Sequence, residues 1–130
     1  IGATVARSAR ASAAEIEAMR QTVERMERAL ADDDHEAVSE LSRQFHRLLR
    51  GGSPDGRLPT LLSLLMDSYG LLGLHEFNAP GRLSAAVAEH RAIYEAVAAR
   101  DEERAERLAR EHSHNALQAQ IFAHHLATDF

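Results

Sequence analysis

The chain has no cysteine, which excludes a disulfide frame and any thiolate metal site. That absence fits a reducing cytoplasm. Proline occurs three times in 130 residues and aromatics make up 5%, so little favours a sheet. No run approaches the roughly 18 apolar residues that a membrane span needs. The N-terminus, Ile1-Gly2-Ala3-Thr4, lacks the charged, apolar and small-residue order of a signal peptide. It reads as the start of a fragment or of an ordered segment. Basic residues number 15 against 20 acidic ones, for a net charge of -5. An acidic domain repels phosphate backbones at long range, so this chain alone is not expected to bind nucleic acid strongly.

Catalytic signatures are missing too. There is no glycine-rich phosphate loop after a strand, no His-Glu-x-x-His pair and no serine in a nucleophile elbow. None of His46, His90 or His112 has a glutamate three residues before it, as a diiron carboxylate bundle wants.

What is present is a core-forming, helix-favouring composition. Hydrophobic residues make up 45%, too many for a disordered chain. Alanine, leucine, glutamate and arginine dominate. Residues 1 to 11 read as the frayed end of a helix begun upstream. Ser12 and Glu15 form a capping box ahead of Ile16, Met19, Val23, Met26 and Leu30, which share one helical face. The run Asp32-Asp33-Asp34 closes this helix and caps the next. The second helix turns Val38, Leu41, Phe45 and Leu48 or Leu49 inward and stops at Gly51-Gly52. Ser53-Pro54-Asp55-Gly56 reads as a turn. A third helix starts near Pro59 and carries Leu61, Leu62, Leu65, Met66, Tyr69 and Leu72. It is apolar on more than one face, as expected of the most buried helix or of a subunit contact. Glu76 to Gly81 reads as a loop. The fourth helix, about Leu83 to Ala99, places Val87, His90, Ile93 and Val97 on one stripe. Asp101 caps the fifth, whose inward positions are Ala105, Leu108, His112, Asn115, Ala119 and Phe122. The pattern predicts an all-α fold: a single antiparallel bundle of about five or six helices.

Eight histidines are many for this length. His46, His90 and His112 fall on the inward stripes of three different helices. Imidazoles from facing helices of a bundle can share a transition metal. The alternative is three core histidines, each with a hydrogen-bond partner. Spacing alone leaves both open. His35, His75, His124 and His125 are expected on the surface, and His114 points away from His112. The run Glu102 to Glu111 is an exposed face of alternating charge.

The ordered motifs resemble the C-terminal effector domain of the FadR branch of the GntR transcription regulators, the FCD domain. Four pieces carry the resemblance: Ala11-x-x-Ala14-Glu15-Ile16 leading to Met26-Glu27-Arg28-Ala29-Leu30; Phe45-His46-x-x-Leu49 after an acidic helix start; Glu89-His90-x-x-Ile93-x-x-Ala96-Val97-x-x-x-Asp101; and Ala105 with His112 seven residues on. It implies that residues 1–130 form a ligand-binding and dimerisation domain. The first helix of the domain is then largely missing, as is the upstream winged helix-turn-helix. It implies a central cavity for a small organic acid, and a divalent metal held by one aspartate and three histidines. His46, His90 and His112 match the histidines. The aspartate position, four residues before His46, is Ser42. A hydroxyl is a poorer ligand than a carboxylate, so the metal, zinc or nickel by imidazole preference, is expected to bind less tightly and to depend more on the effector. The expected partners are a carboxylate metabolite, a second copy of the chain, and DNA only through the missing domain. A plain helical interaction module and a small metal-dependent enzyme are the alternatives.

Overall fold

The structure, a computed structural model, describes residues 9–51, 61, 64 and 81–128. Among them are four α-helices: α1 (Ala13–Ala31), α2 (His35–Gly51), α3 (Arg82–Ala98) and α4 (Glu102–Thr128). No strand occurs among the described residues, and the all-α expectation holds. The expected count of five or six becomes four there. The predicted third helix lies outside the described residues, apart from Leu61 and Leu64. Both of these are helical and largely exposed. Residues 9 to 11 precede the cap of α1 and are not helical, which corrects the frayed-helix reading for that part.

The chain builds two helical hairpins, α1–α2 and α3–α4, with α1 packed along α3. Both corners have the same construction. In the first, Asp33 N–H donates to Leu30 O (3.1 Å) and Asp34 N–H to Ala29 O (2.9 Å). In the second, Arg100 N–H donates to Val97 O (3.0 Å) and Asp101 N–H to Ala96 O (3.0 Å). This is the Schellman closure, which needs a left-handed residue just past the helix. Asp33 (φ 56°) and Arg100 (φ 59°) supply it, although neither is glycine. The aspartate that follows caps the next helix. Asp34 Oδ1 accepts from Ala37 N–H, and Asp101 Oδ1 accepts from Arg104 N–H, each at 3.1 Å. Ser12 Oγ likewise accepts from Glu15 N–H at 3.1 Å to start α1.

The predicted stripes face inward. Met19, Val23 and Met26 of α1 meet Val38, Leu41, Phe45 and Leu49 of α2 and Val87, Ile93 and Val97 of α3. Burial of each large side chain contributes about 1.5–3 kcal/mol. Ala105 and Ala109 bring α4 close against this core. Phe122, expected inward, is 50% exposed, as are Leu117 and Ile121. Asn115 is also exposed. α4 runs 27 residues and α3 only 17, so in an antiparallel pair the last turns of α4 pass beyond the start of α3.

The segment ahead of α1 is tied to the second corner. Arg100 Nη1 donates to the carbonyls of Ala9 (3.0 Å) and Ala11. Arg10 pairs with Glu102 (2.8 Å). Ala9 and Ala11 are buried.

Candidate metal centre

His46 lies on α2, His90 on α3 and His112 on α4. Each sits one helical turn from core residues of its own helix, so packing the helices also aims the imidazoles. The three Nε2 atoms form a triangle: His46–His90 3.2 Å, His90–His112 3.2 Å and His46–His112 3.4 Å. His90 and His112 are buried and His46 is partly so. The rings pack as a cluster with centroids 4.6 to 5.3 Å apart, and Phe45 closes one side at 5.0 Å from His90.

The outer nitrogen of His112 fixes its tautomer. His112 Nδ1 is 2.6 Å from Glu89 Oε1. A carboxylate only accepts, so Nδ1 carries the proton and Nε2 presents its lone pair. Arg82 Nη2 also lies 3.3 Å from His112 Nδ1. Both are donors to the same Glu89 oxygen, which Arg82 reaches at 2.8 Å, so that contact is two donors sharing one acceptor. His90 Nδ1 lies 3.2 Å from Met26 Sδ. A thioether is a weak acceptor, and His112 Nε2, 3.2 Å from His90 Nε2, is a better one, so the Met26 contact does not set the His90 tautomer. Whichever nitrogen carries the proton in His46 and His90, no arrangement of neutral rings turns all three Nε2 contacts into hydrogen bonds. A cation at their centre would resolve the conflict. Three nitrogens bound at tetrahedral angles to one zinc at about 2.0–2.1 Å are about 3.3–3.4 Å apart. The observed triangle has that size, and the three histidines can hold a metal ion.

The electrostatics keep His46 and His90 neutral. Burial, with the neighbouring His112 and Arg50, holds His46 down at about 3. Burial and the facing His46, His112 and Arg82 push His90 well below the ordinary imidazole range. Burial pushes Glu89 up, but hydrogen bonds from His112, Arg82 and Asn115 outweigh it and bring it down to about 2. The carboxylate is thus anionic at neutral pH.

Ser42 is buried on α2, one turn before His46 and on the same face. His35 is exposed and pairs with Asp33 at 2.7 Å. His114 is exposed, 3.3 Å from Gln118 Nε2, and His125 is exposed. His75 and the side chain of His124 lie outside the described residues. A surface groove of about 500 Å³, lined by Glu15, Gln44, Arg47, Leu48 and Gly51, involves none of the clustered histidines.

Arg82 and Glu89 carry no role in the sequence analysis. Arg82 is 6% exposed and binds Glu89 through both terminal nitrogens, at 2.9 and 2.8 Å. Asn115 Nδ2 donates to the other carboxylate oxygen at 3.1 Å. The available signal is spacing: seven residues put Arg82 and Glu89 on one face, two turns apart.

The family profile of the FCD domain matches residues 2–115. The chain belongs to the FCD family. An FCD domain is the C-terminal effector-binding domain of GntR/FadR-type regulators, a regulatory rather than a catalytic unit. The matched span contains His46, His90 and His112, so the clustered imidazoles lie within the FCD domain. A search of the curated proteins finds no match to the chain. Among the described residues no helix is long and apolar enough to cross a membrane.

Proposed function

We propose that this FCD domain senses a small organic acid through a divalent metal held by His46, His90 and His112, and relays its binding to an upstream DNA-binding domain. The observation that carries the reading is the triangle of Nε2 atoms with edges of 3.2 to 3.4 Å. Three neutral imidazoles supply no charge to offset a divalent ion. Glu89 is already engaged by Arg82 and Asn115, and Ser42 offers only a hydroxyl. An effector carboxylate completes such a site in charge and in coordination number. The metal, zinc by the size of the triangle with nickel next, supplies Lewis acidity toward that carboxylate.

In this reading the domain acts as a cytoplasmic homodimer, which suits paired helix-turn-helix modules on pseudo-palindromic sites. The effector's differential affinity for two helix arrangements is the only energy available to shift the DNA-binding arms.

Calorimetry with zinc and with nickel tests the metal, on this chain and on His90→Ala. Wild-type uptake of one ion per chain, lost in the variant, is expected; equal binding by both removes the metal centre. Repeating the titration with short hydroxy- and dicarboxylates, with and without zinc, tests the effector. Carboxylate binding that ignores zinc would detach the effector from the metal.

A further inference from the structure

Of the three imidazoles at the centre, only His112 has a charged partner on its outer nitrogen among the described residues. Glu89 Oε1 lies 2.6 Å from its Nδ1. That carboxylate is itself held at both oxygens. Arg82 reaches Oε1 at 2.8 Å and Oε2 at 2.9 Å, and Asn115 reaches Oε2 at 3.1 Å. Among the described residues, His90 has only the Met26 sulfur on its outer nitrogen. The outer environments of these two rings are therefore unequal.

We propose that Glu89, clamped by Arg82 and Asn115, is a positioning residue that fixes His112 as the Nδ1–H tautomer and makes its Nε2 the strongest donor of the three. The proposal rests on the metal reading above. A carboxylate hydrogen-bonded to Nδ1–H locks the ring orientation and adds electron density to the opposite nitrogen, which raises its basicity toward a metal. The clamp matters because a loose carboxylate on the partly exposed α3 face would turn to solvent. Arg82 also needs its partner, since a buried guanidinium beside His112 would otherwise repel an incoming cation. Arg82 is the first residue of α3, Glu89 lies at its centre, and Asn115 and His112 are on α4. The cluster spans the α3–α4 seam.

Glu89→Gln tests this. The amide keeps the shape, but it removes the charge and can donate to Nδ1, placing the proton on Nε2 where it blocks a metal. Zinc affinity, measured by competition with a chromophoric chelator, is expected to fall about 10- to 100-fold. In the metal-free protein, long-range proton–nitrogen NMR of the imidazoles should show His112 leaving the Nδ1–H form. Met26→Leu, which leaves His112 untouched, should keep that tautomer. A merely structural role for Glu89 would not move it. Unchanged zinc affinity and an unchanged His112 tautomer in Glu89→Gln would overturn the proposal while the metal centre stands. If wild type takes up no zinc, the metal reading fails, and the tautomer measurement still decides whether Glu89 sets the ring. Should Glu89→Gln lose its helical circular dichroism, the same two measurements move to Asn115→Ala, an exposed site. A several-fold weaker affinity is expected there, and an unchanged one counts against the clamp.

Discussion

Glu27 of α1 and Arg91 of α3 join the two hairpins by a two-pronged ion pair, with Nε–Oε1 at 2.6 Å and Nη2–Oε2 at 3.0 Å. The pair is half-exposed, and Arg91 also lies over the Tyr94 ring at 5.5 Å. Fork geometry lifts it above a typical surface pair. Glu27→Gln is expected to cost about 1 kcal/mol, or roughly 3–6 °C in melting temperature. Thermal denaturation at low and high salt checks this. A loss that survives high salt undiminished would mean that packing, not charge, is responsible.

Acid should weaken the metal-free protein well before its carboxylates titrate. His46 titrates at about 3 in the fold, against about 6.5 when unfolded. The unfolded chain therefore binds more protons between those values, and stability falls as pH drops through that window. His90 acts in the same sense. Glu89, at about 2, adds a same-signed loss only lower down, between the ordinary carboxylate range and about 2. Each buried histidine contributes at most about 1.4 kcal/mol per pH unit. Urea denaturation at neutral pH and near about pH 5 should show the drop. A flat profile would mean that His46 and His90 are not held neutral.

Placing a carboxylate one helical turn before His46 should tighten metal binding. Ser42→Asp adds a negative donor one turn before His46. Zinc or manganese affinity is expected to rise at least about tenfold, because opposite charge and a harder oxygen ligand both favour the ion. The dependence of metal uptake on added carboxylate should fall in parallel. Calorimetry on the variant reads both, and an unchanged affinity would place residue 42 outside the coordination sphere.

His46, His90 and His112, weighed as ligands in the sequence, converge because each lies on a regular apolar stripe. A helix transmits such a stripe faithfully into the core, so spacing and burial agree. The Arg82–Glu89 pair was harder to read. Glu89 stands next to His90 and so points about 100° round the helix from it, onto what sequence alone presents as a surface. Only the close approach of α4 through Ala105 and Ala109 converts that flank into the wall of the site. Phe122 fails for the opposite reason. Its stripe is regular, but α4 outruns α3 there, and periodicity carries no information about the length of the partner. The hairpin corners were half legible: Asp34 and Asp101 signal caps, while Asp33 and Arg100 give no glycine cue for their left-handed backbone.

Those two corners predict contrasting glycine substitutions. Asp33→Gly places the residue that the left-handed position favours and loses only an exposed contact to His35. It should stabilise by about 0.5–1 kcal/mol. Arg100→Gly gains the same backbone relief but gives up the hydrogen bonds to Ala9 and Ala11. Its net effect should be neutral or destabilising, with faster amide exchange just ahead of α1. Denaturation of both variants with hydrogen exchange separates them; equal gains would make the Arg100 contacts energetically silent.

Arg100 also ties the hairpin that carries His90 and His112 to the segment ahead of α1. His90 and His112 stand about 15 and 18 Å from the α3–α4 corner along their helices, and that corner holds the peptide oxygens that lead into α1. In the proposed function, a small change of spacing at the histidines would tilt this hairpin and so reach the backbone just ahead of Ser12.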